Sequence, residues 1–310
     1  MRVLVAGATG EMGRHLLPLL IAGGHEVIGI SRTPGALEGT GATELVADVL
    51  EREKFLAAVA GLKCDAVIHQ LTSLKKTPTS YADMLVTNRL RWEGTSTLVA
   101  AAKITGASKM VSASIVYGYG FQNHNNNVLD ESWAFGLLPG NRLDPVLKAL
   151  RSSEQQTLAC GGVVLRYGLF YSPRGALPVV ASDWHGDLPF VHIEDAAAAT
   201  VLALETAPNG STFNIVDDTP VSWRDLHRAR ADAFDLPDPV QLPSWLLRTV
   251  APFGSKLISE TSMWVSNARA RSDLGWEPRY PSYTDAMTEA RELRAHGAAV
   301  AAGRAEPVRV

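Results

Sequence analysis

Three glycines near the amino terminus have the spacing of a phosphate-binding turn. The segment from Gly7 to Gly13 reads GATGEMG and stands between an apolar run and a stretch with helical periodicity. Gly7 permits a tight turn, Gly10 lets main chain approach a diphosphate, and Gly13 lets the helix pack closely on the sheet. The start of that helix offers free N–H groups and a partial positive charge. A turn without a ligand is the alternative. The candidate residues of the turn are Gly7, Thr9, Gly10, Glu11, Met12 and Gly13.

The end of the second apolar run indicates which dinucleotide would bind. A carboxylate at this point holds the adenosine ribose of NAD, but the sequence places Ser31 and Arg32 there. A cation beside a hydroxyl suits a 2′-phosphate, so we predict NADP, with NAD possible. In the alternative interpretation Arg32 is a surface charge and Glu38 reaches the ribose.

A third contribution to this site is expected after the run that ends at Ala47. Asp48 and the adjoining Val49 follow it, where a carboxylate can accept from the adenine amino group. Asp48 is equally suited to cap a helix that starts near Glu51. The two roles are compatible.

Candidate groups for proton transfer lie at the end of a fourth long strand. Tyr117 follows this strand at its carboxyl end, where a phenol could reach a substrate. Ser112 and Ser114 flank Ala113, so their side chains share one face, and one could bind a substrate oxygen if that face opens to the pocket. The alternatives are a tyrosine that packs and two serines bonded to neighbouring main chain.

These residues need a parallel sheet to position them. Short runs rich in Val and Ile alternate with helical periodicity through the first 165 residues, which predicts a doubly wound α/β fold. The predicted strands are Arg2–Ala6, Glu26–Ser31, Glu44–Val46, Ala66–His69, Lys109–Ala113 and Gly162–Tyr167. The predicted helices are Met12–Ala22, Glu51–Val59, Tyr81–Ile104 and Pro145–Leu158.

The pattern of the sequence changes after Tyr167, where segments rich in Pro, Gly and aromatic residues indicate loops. We predict a dinucleotide-binding domain over residues 1–167 and a smaller substrate lobe over 168–296, with returns to the first domain. Residues 297–310 are predicted to form a flexible tail.

Composition excludes several classes of protein. The 310 residues are 46% hydrophobic and 20% charged, as in ordinary globular chains, and the net charge of −3 leaves no basic footprint for nucleic acid. No apolar run approaches the roughly 18 residues of a membrane span. The two cysteines form no metal-binding or disulfide pattern, so we predict no metal and a reducing, cytoplasmic location.

Seven segments together resemble the short-chain dehydrogenase/reductase superfamily, in its extended and atypical branch of NAD-dependent epimerases and dehydratases. They are GATGEMG (7–13), AVIHQLT (66–72), EGTSTLVAAA (93–102), SASIVYG (112–118), VVLRYGLFYSP (163–173), FVHIEDAAAAT (190–200) and SNARARSDLGWEPRY (266–280). The resemblance implies a Rossmann domain that binds NAD(P). It implies that Gln70, Leu71 and Thr72 line the ribose and nicotinamide side, and that Tyr167, Leu169 and Phe170 face the nicotinamide.

The catalytic pattern of that superfamily is altered here. Its Ser or Thr corresponds to Ala113, and its Tyr-x-x-x-Lys pair corresponds to Val146 and Leu150 when Glu154 is aligned with the family's Glu. Arg91 stands where the family has an Asn three residues before Gly94. Reduction of a carbonyl needs a positioned acid, and a phenol of pKa about 10 serves near neutrality only beside a cation. Valine and leucine supply neither.

The sequence therefore predicts an atypical NADP-binding reductase, or an epimerase-like oxidoreductase, that acts on a small organic metabolite. Two alternatives follow from the altered pattern: a non-catalytic protein that senses dinucleotides, and a lyase, isomerase or cyclase without net redox chemistry. We expect a small-molecule substrate and a possible homodimer, and neither nucleic acid nor membrane as partners.

Overall fold

The computed structural model describes residues 1–74, 76–173 and 178–303, with no account of the side chains of Asn126 and 297–303. The strands are β1 (Arg2–Ala6), β2 (Glu26–Ser31), β3 (Thr43–Val46), β4 (Ala66–His69), β5 (Lys109–Ile115), β6 (Asn123–Leu129), β7 (Val163–Tyr167), β8 (Leu169–Tyr171), β9 (Val180–Ala181), β10 (Asp187–Leu188), β11 (Phe190–His192), β12 (Thr212–Ile215), β13 (Val221–Ser222), β14 (Gln241–Leu242) and β15 (Ser262–Val265). The helices are α1 (Glu11–Ala22), α2 (Arg52–Val59), α3 (Leu85–Arg89), α4 (Thr95–Thr105), α5 (Asp144–Ala159), α6 (Ile193–Thr206), α7 (Trp223–Phe234), α8 (Ser244–Val250), α9 (Pro252–Ile258), α10 (Ala268–Leu274) and α11 (Tyr283–Gly303).

A seven-stranded parallel sheet forms the centre of the molecule, in the order β12-β7-β5-β4-β1-β2-β3. Its strands are short because each is a run of Val, Ile or Leu between turn residues, and both faces are covered by helices. The chain runs outward from β1 to β3 and then returns to place β4 on the other side of β1. This reversal creates a crevice at the carboxyl ends of β1 and β4, which is where open α/β sheets bind ligands. The predicted doubly wound fold is confirmed.

Residues beyond β7 both complete this sheet and build a smaller lobe. Strand β12 extends the sheet at the β7 edge, and α6 packs against α1. The rest of the segment forms short two-stranded sheets, β10 with β13, β8 with β11 and β9 with β14, and its strand β15 pairs with β6, which precedes β7 in the chain. Phe190, Leu226 and Phe253 of the lobe belong to an apolar core that also includes Tyr117 and Val146 from the first part of the chain.

Two predicted elements differ from the structure. The helix predicted over Tyr81–Ile104 is divided into a 3₁₀ turn at Ala82–Met84, then α3, a π-helical turn at Leu90–Gly94, and α4. In the predicted tail 297–310, helix α11 continues to Gly303, and 304–310 lie outside the described residues. Across the described ranges, no helix combines the length and apolarity that a bilayer span requires.

Candidate functional site

The turn after β1 requires glycine for two independent reasons. Gly7 has φ of +97°, a region that side chains strongly disfavour. A Cβ on Gly7 would also lie 2.6 Å from the main-chain oxygen of Gln70, which follows β4. The two strands that form the crevice therefore approach closely at their ends.

The next two glycines shape the start of α1. A Cβ on Gly13 would lie 2.2 Å from the carbonyl oxygen of Ala8, so this glycine permits close packing of helix and turn. Gly10 is the N-cap, and no side chain caps the helix. A Cβ on Gly10 would meet Gly7 O at 3.2 Å and no other atom within 4 Å, so its outer side is open.

This turn fits a diphosphate. The first-turn amides of α1 are available because no side-chain cap occupies them, and the helix dipole favours an anion there. Thr9 and Glu11 are exposed at the turn, while Met12 packs into the core. The diphosphate of a dinucleotide could accept from these amides, and the space left by the missing Cβ of Gly10 would let it approach them.

The end of β2 presents a cation. Arg32 is exposed, and within the described part of the chain its guanidinium makes no hydrogen bond or ion pair. Ser31 is buried, and its hydroxyl donates to Thr33 O at 2.6 Å and accepts from Thr33 N at 3.0 Å. Ser31 therefore fixes the turn that carries Arg32. Its hydroxyl proton is in a hydrogen bond to Thr33 O and is not free for a ligand. Glu38 is exposed on the loop that follows.

Asp48 lies at the entrance to α2. Its Oδ1 accepts from the main-chain N–H of Leu50 at 2.8 Å, as expected for a residue that organises the turn before a helix. Val49 is buried between this turn and Gly94. The structural role predicted for Asp48 is thus present, and its second oxygen remains compatible with the adenine role.

The residues after β4 form the next part of the crevice. Gln70 is buried and its amide donates to the phenol oxygen of Tyr167 at 3.0 Å. The N–H of Leu71 donates to Nδ1 of His69 at 3.2 Å. Thr72 is exposed, with its hydroxyl 3.4 Å from that of Thr87 on α3.

The segment after β7 exposes apolar surface to the same edge of the sheet. The Tyr167 hydroxyl lies 2.7 Å from that of Thr200 on α6, and burial raises the pKa of the phenol to about 12. Phe170 packs against its ring, with centroids 5.2 Å apart, and is 43% exposed. Leu169 is half-buried. Of these three residues, Leu169 and Phe170 are the two with surface available to a ligand.

The two serines of β5 lie on the closed face of the strand. Ser114 donates to Glu154 of α5 at 2.6 Å, and Ser112 is only 1% exposed. Ala113 and Ile115, which alternate with them, are the residues that keep exposed surface. The expectation that Ser112 or Ser114 meets a substrate does not fit this placement, because α5 covers their face.

Tyr117 is fully buried, at 0% exposure. Its hydroxyl donates to the main-chain oxygen of Leu257 at 3.2 Å, and burial raises the pKa of the phenol far above its ordinary value. An acid that is enclosed and this weak does not fit the predicted role of proton donor. The packing role, named as the alternative, agrees with the structure.

Helix α5 presents apolar side chains at the positions of the superfamily's Tyr and Lys. Val146 and Leu150 are both buried. One turn later Glu154 pairs with Arg166 at 2.8 Å, and Arg166 also donates to the Tyr119 hydroxyl at 2.9 Å. The only signal in the sequence for this buried pair was the alignment of Glu154 with the family's Glu.

Arg91 is a further residue that sequence reasoning noted without assigning a role. It lies in the π-helical turn before α4 and is partly exposed, but one of its terminal nitrogens is buried without a hydrogen-bond partner. Burial lowers its pKa to about 10, so it remains a cation near neutrality. No cluster of three His, Cys, Asp or Glu side chains suited to a metal occurs in the described residues.

The fold and the glycine-rich turn at the sheet's reversal define a Rossmann dinucleotide-binding protein. The model of the NAD dependent epimerase/dehydratase family matches residues 3–136. A 3-diazoavenalumate denitrifying reductase from Streptomyces sp. is 33% identical over 93% of this chain and 99% of its own length. The chain therefore belongs to the NAD dependent epimerase/dehydratase family.

Solved structures agree with this fold. A UDP-glucose 4-epimerase from Thermotoga maritima, solved with UDP-glucose, has a TM-score of 0.77 at 19% identity and covers 96% of this chain and 99% of its own. The UDP-glucose 4-epimerase of Thermus thermophilus, solved with NAD, has a TM-score of 0.74 at 21% identity, covering 94% and 99%.

Proposed function

We propose that this protein is an NADP-dependent reductase whose acceptor is reduced without a proton from a side chain. The observation that carries the proposal is the apolar character of the positions that would hold the acid. Ala113 and Ile115 are the partly exposed residues at the end of β5, and Val146 and Leu150 are buried on α5. Reduction of a ketone at such a surface would leave the developing oxyanion without a donor.

The cofactor would lie across the crevice at the carboxyl ends of β1 and β4. The turn from Gly7 to Gly13 would hold the diphosphate, Arg32 the 2′-phosphate, and Asp48 with Val49 the adenine. Gln70, Leu71 and Thr72 would line the ribose, and Leu169 and Phe170 the nicotinamide, beside the buried Tyr167. When bound, NADPH supplies a hydride.

An acceptor that carries a diazo group fits these constraints. The Streptomyces relative is by name a denitrifying reductase of a diazo-substituted carboxylate. An arenediazonium ion that gains a hydride at its terminal nitrogen becomes a neutral aryl diazene. The diazene loses its N–H proton to water and releases N2, and the ring carbon takes a proton from water to form the C–H bond. The charges cancel in the first step and no oxyanion forms, so no phenol or lysine is needed. The residues of this chain then have to orient a flat acceptor and exclude water, for which apolar surfaces are suited.

The test is a search for stereospecific deuterium transfer. The protein is incubated with an arenediazonium carboxylate and with NADPH deuterated on one or the other face of C4. We expect the recovered NADP⁺ to have lost its deuterium from one of the two labelled cofactors and kept it from the other, with N2 released at a rate above that without protein, because direct chemical reduction does not distinguish the faces. Ketones serve as alternative acceptors in parallel, and UDP-glucose is tested with NADP⁺ as an alternative hydride donor.

The other outcomes discriminate the alternatives. Reduction of ketones but not of the diazonium ion would contradict the proposal. Tight NADPH binding with no turnover of any acceptor would favour a sensor. Product formation without a change in nicotinamide absorbance would favour a lyase, isomerase or cyclase. The predicted cytoplasmic location and homodimer stay predictions.

A further inference from the structure

Arg91 is held at the edge of the sheet where the crevice lies. Thr87, four residues earlier, accepts from Ser73 N at 3.2 Å, and Thr95, four residues later, lies 3.0 Å from Nε2 of His69. The Thr95 hydroxyl also donates to the main-chain oxygen of Arg91 at 2.7 Å, so the π-helical turn that carries Arg91 is anchored beside the end of β4. Burial and then the charge of Arg91 lower the pKa of His69 to about 4.

The charge of Arg91 is not neutralised by the protein. Within the described residues its guanidinium makes no hydrogen bond or ion pair, and one terminal nitrogen is buried without a partner. The neighbouring carboxylates are committed elsewhere, Glu93 to Arg89 at 2.8 Å and Glu154 to Arg166 at 2.8 Å. Enclosing a cation without an anion costs free energy, so an arginine in this state is suited to receive one.

We propose that Arg91 binds the carboxylate of the acceptor substrate. The inference rests on the proposed function, because it uses the same placement of the cofactor. In that placement the diphosphate lies at the start of α1 and the 2′-phosphate at Arg32, on the β1–β2 side of the crevice. The nicotinamide riboside beside β4 carries no anionic group of its own. An anion at Arg91 therefore belongs to the acceptor.

This assignment predicts a substrate with an anionic end that binds Arg91 and an apolar part that packs on Leu169 and Phe170. An arginine presents paired N–H donors that suit a carboxylate, whereas Leu169 and Phe170 offer apolar surface. The substrate class is a flat, conjugated carboxylic acid with its electrophilic group remote from the acid. In the superfamily pattern a cation comes from α5, at the position of Leu150; here the cation comes instead from the turn before α4.

Binding of trans-cinnamate and of its methyl ester, in the presence of saturating NADP⁺, tests the proposal without turnover. The wild-type protein should bind the acid about 10 to 100 times more tightly than the ester, the range of a hydrogen bond to a charged group. That preference should weaken as salt is added. Arg91→Met should remove the preference while leaving affinity for the ester and for NADP⁺ unchanged, and Arg91→Lys should restore part of it.

Arg89→Met is the matched control, because Arg89 lies only two residues from Arg91 but is exposed and paired with Glu93. It should keep the full preference for the acid. Equal loss of acid and ester binding in Arg91→Met, or the same effect in Arg89→Met, would overturn the proposal. So would a wild-type protein that does not distinguish acid from ester. Absence of diazonium turnover together with an Arg91-dependent acid preference would instead refute the proposed reaction and leave this assignment standing.

Discussion

The hydroxyl of Tyr117, just beyond β5, donates to the main-chain oxygen of Leu257 on α9 at 3.2 Å. This bond joins the end of a strand of the central sheet to a helix of the smaller lobe, 140 residues later in the chain. Tyr117 also packs against Phe121, with ring centroids 5.1 Å apart and the ring planes tilted by 35°. The phenol thus serves to hold two parts of the molecule together.

Tyr117→Phe should therefore lower stability and leave catalysis intact. Loss of one buried hydrogen bond costs about 1 kcal/mol of unfolding free energy, because the Leu257 oxygen loses its donor. A general acid, in contrast, contributes about 10²- to 10⁴-fold to the rate. Chemical denaturation and single-turnover rates distinguish the two roles, and a fall of kcat by about 100-fold would restore Tyr117 as a proton donor.

Gly10→Val should abolish dinucleotide binding in a folded protein. The main chain of Gly10 has φ of −78° and ψ of 175°, which valine readily adopts. Its side chain would occupy the open space in front of the amides of α1, so loss of two charge-assisted hydrogen bonds would weaken NADP⁺ binding at least about 100-fold.

Gly94→Ala is the control for this substitution. Gly94 is also buried near the crevice, but a Cβ there would make only ordinary contacts, the nearest at 3.7 Å from Val49. Calorimetric titration should show wild-type affinity for this variant. NADP⁺ affinity retained by Gly10→Val would refute the phosphate-binding role of the turn.

Arg32→Asp should reverse the preference between the two dinucleotides. Arg32 is exposed and, within the described ranges, without a partner, so its removal costs the protein little, whereas a carboxylate there repels a 2′-phosphate and accepts from a ribose hydroxyl. We expect NADPH affinity to fall by about 10- to 100-fold and NADH affinity to rise. An unchanged ratio of the two dissociation constants would mean that Arg32 is only a surface charge and would favour Glu38.

The positions of the first strands follow directly from local sequence. Strands β1, β2 and β4 have the bounds predicted for them, because each is a Val- or Ile-rich run that ends at a turn or a polar residue. The glycine-rich turn is local in its positive φ at Gly7 and in the close approach of Gly13 to Ala8, whereas the contact of Gly7 with Gln70 joins residues far apart in the chain. The local features need no knowledge of distant packing.

The face of β5 that meets the crevice could not be predicted in the same way. Ser112, Ala113 and Ser114 are all small, so neither their size nor their polarity assigns a side. The choice is made by Glu154, 40 residues later, which accepts from Ser114. Likewise, the sequence around Tyr117 does not predict its hydrogen bond to the main chain of Leu257. Contacts between distant segments decide which candidate groups are available to a substrate.

The last prediction concerns a buried carboxylate of the lobe. Asp217 is 5% exposed, and its Oδ1 accepts from the N–H of His192 at 3.3 Å. Burial raises its pKa from 3.8 to about 8. Between these values the folded protein holds a proton that the unfolded chain has released, so unfolding free energy falls as pH rises, by up to about 1.4 kcal/mol per unit.

Asp217→Asn should remove this slope, because the amide is neutral at every pH. The comparison is made by urea denaturation between about pH 6.5 and 8. Below that range His192 adds a slope of the opposite sign, because burial lowers its pKa from 6.5 to about 4 and the unfolding free energy then rises with pH. Asp235→Asn is the control, because Asp235 lies at the surface in an ion pair with Arg294 at 2.7 Å. It should keep the wild-type slope, and a wild-type slope in Asp217→Asn would mean that Asp217 is ionised in the native protein.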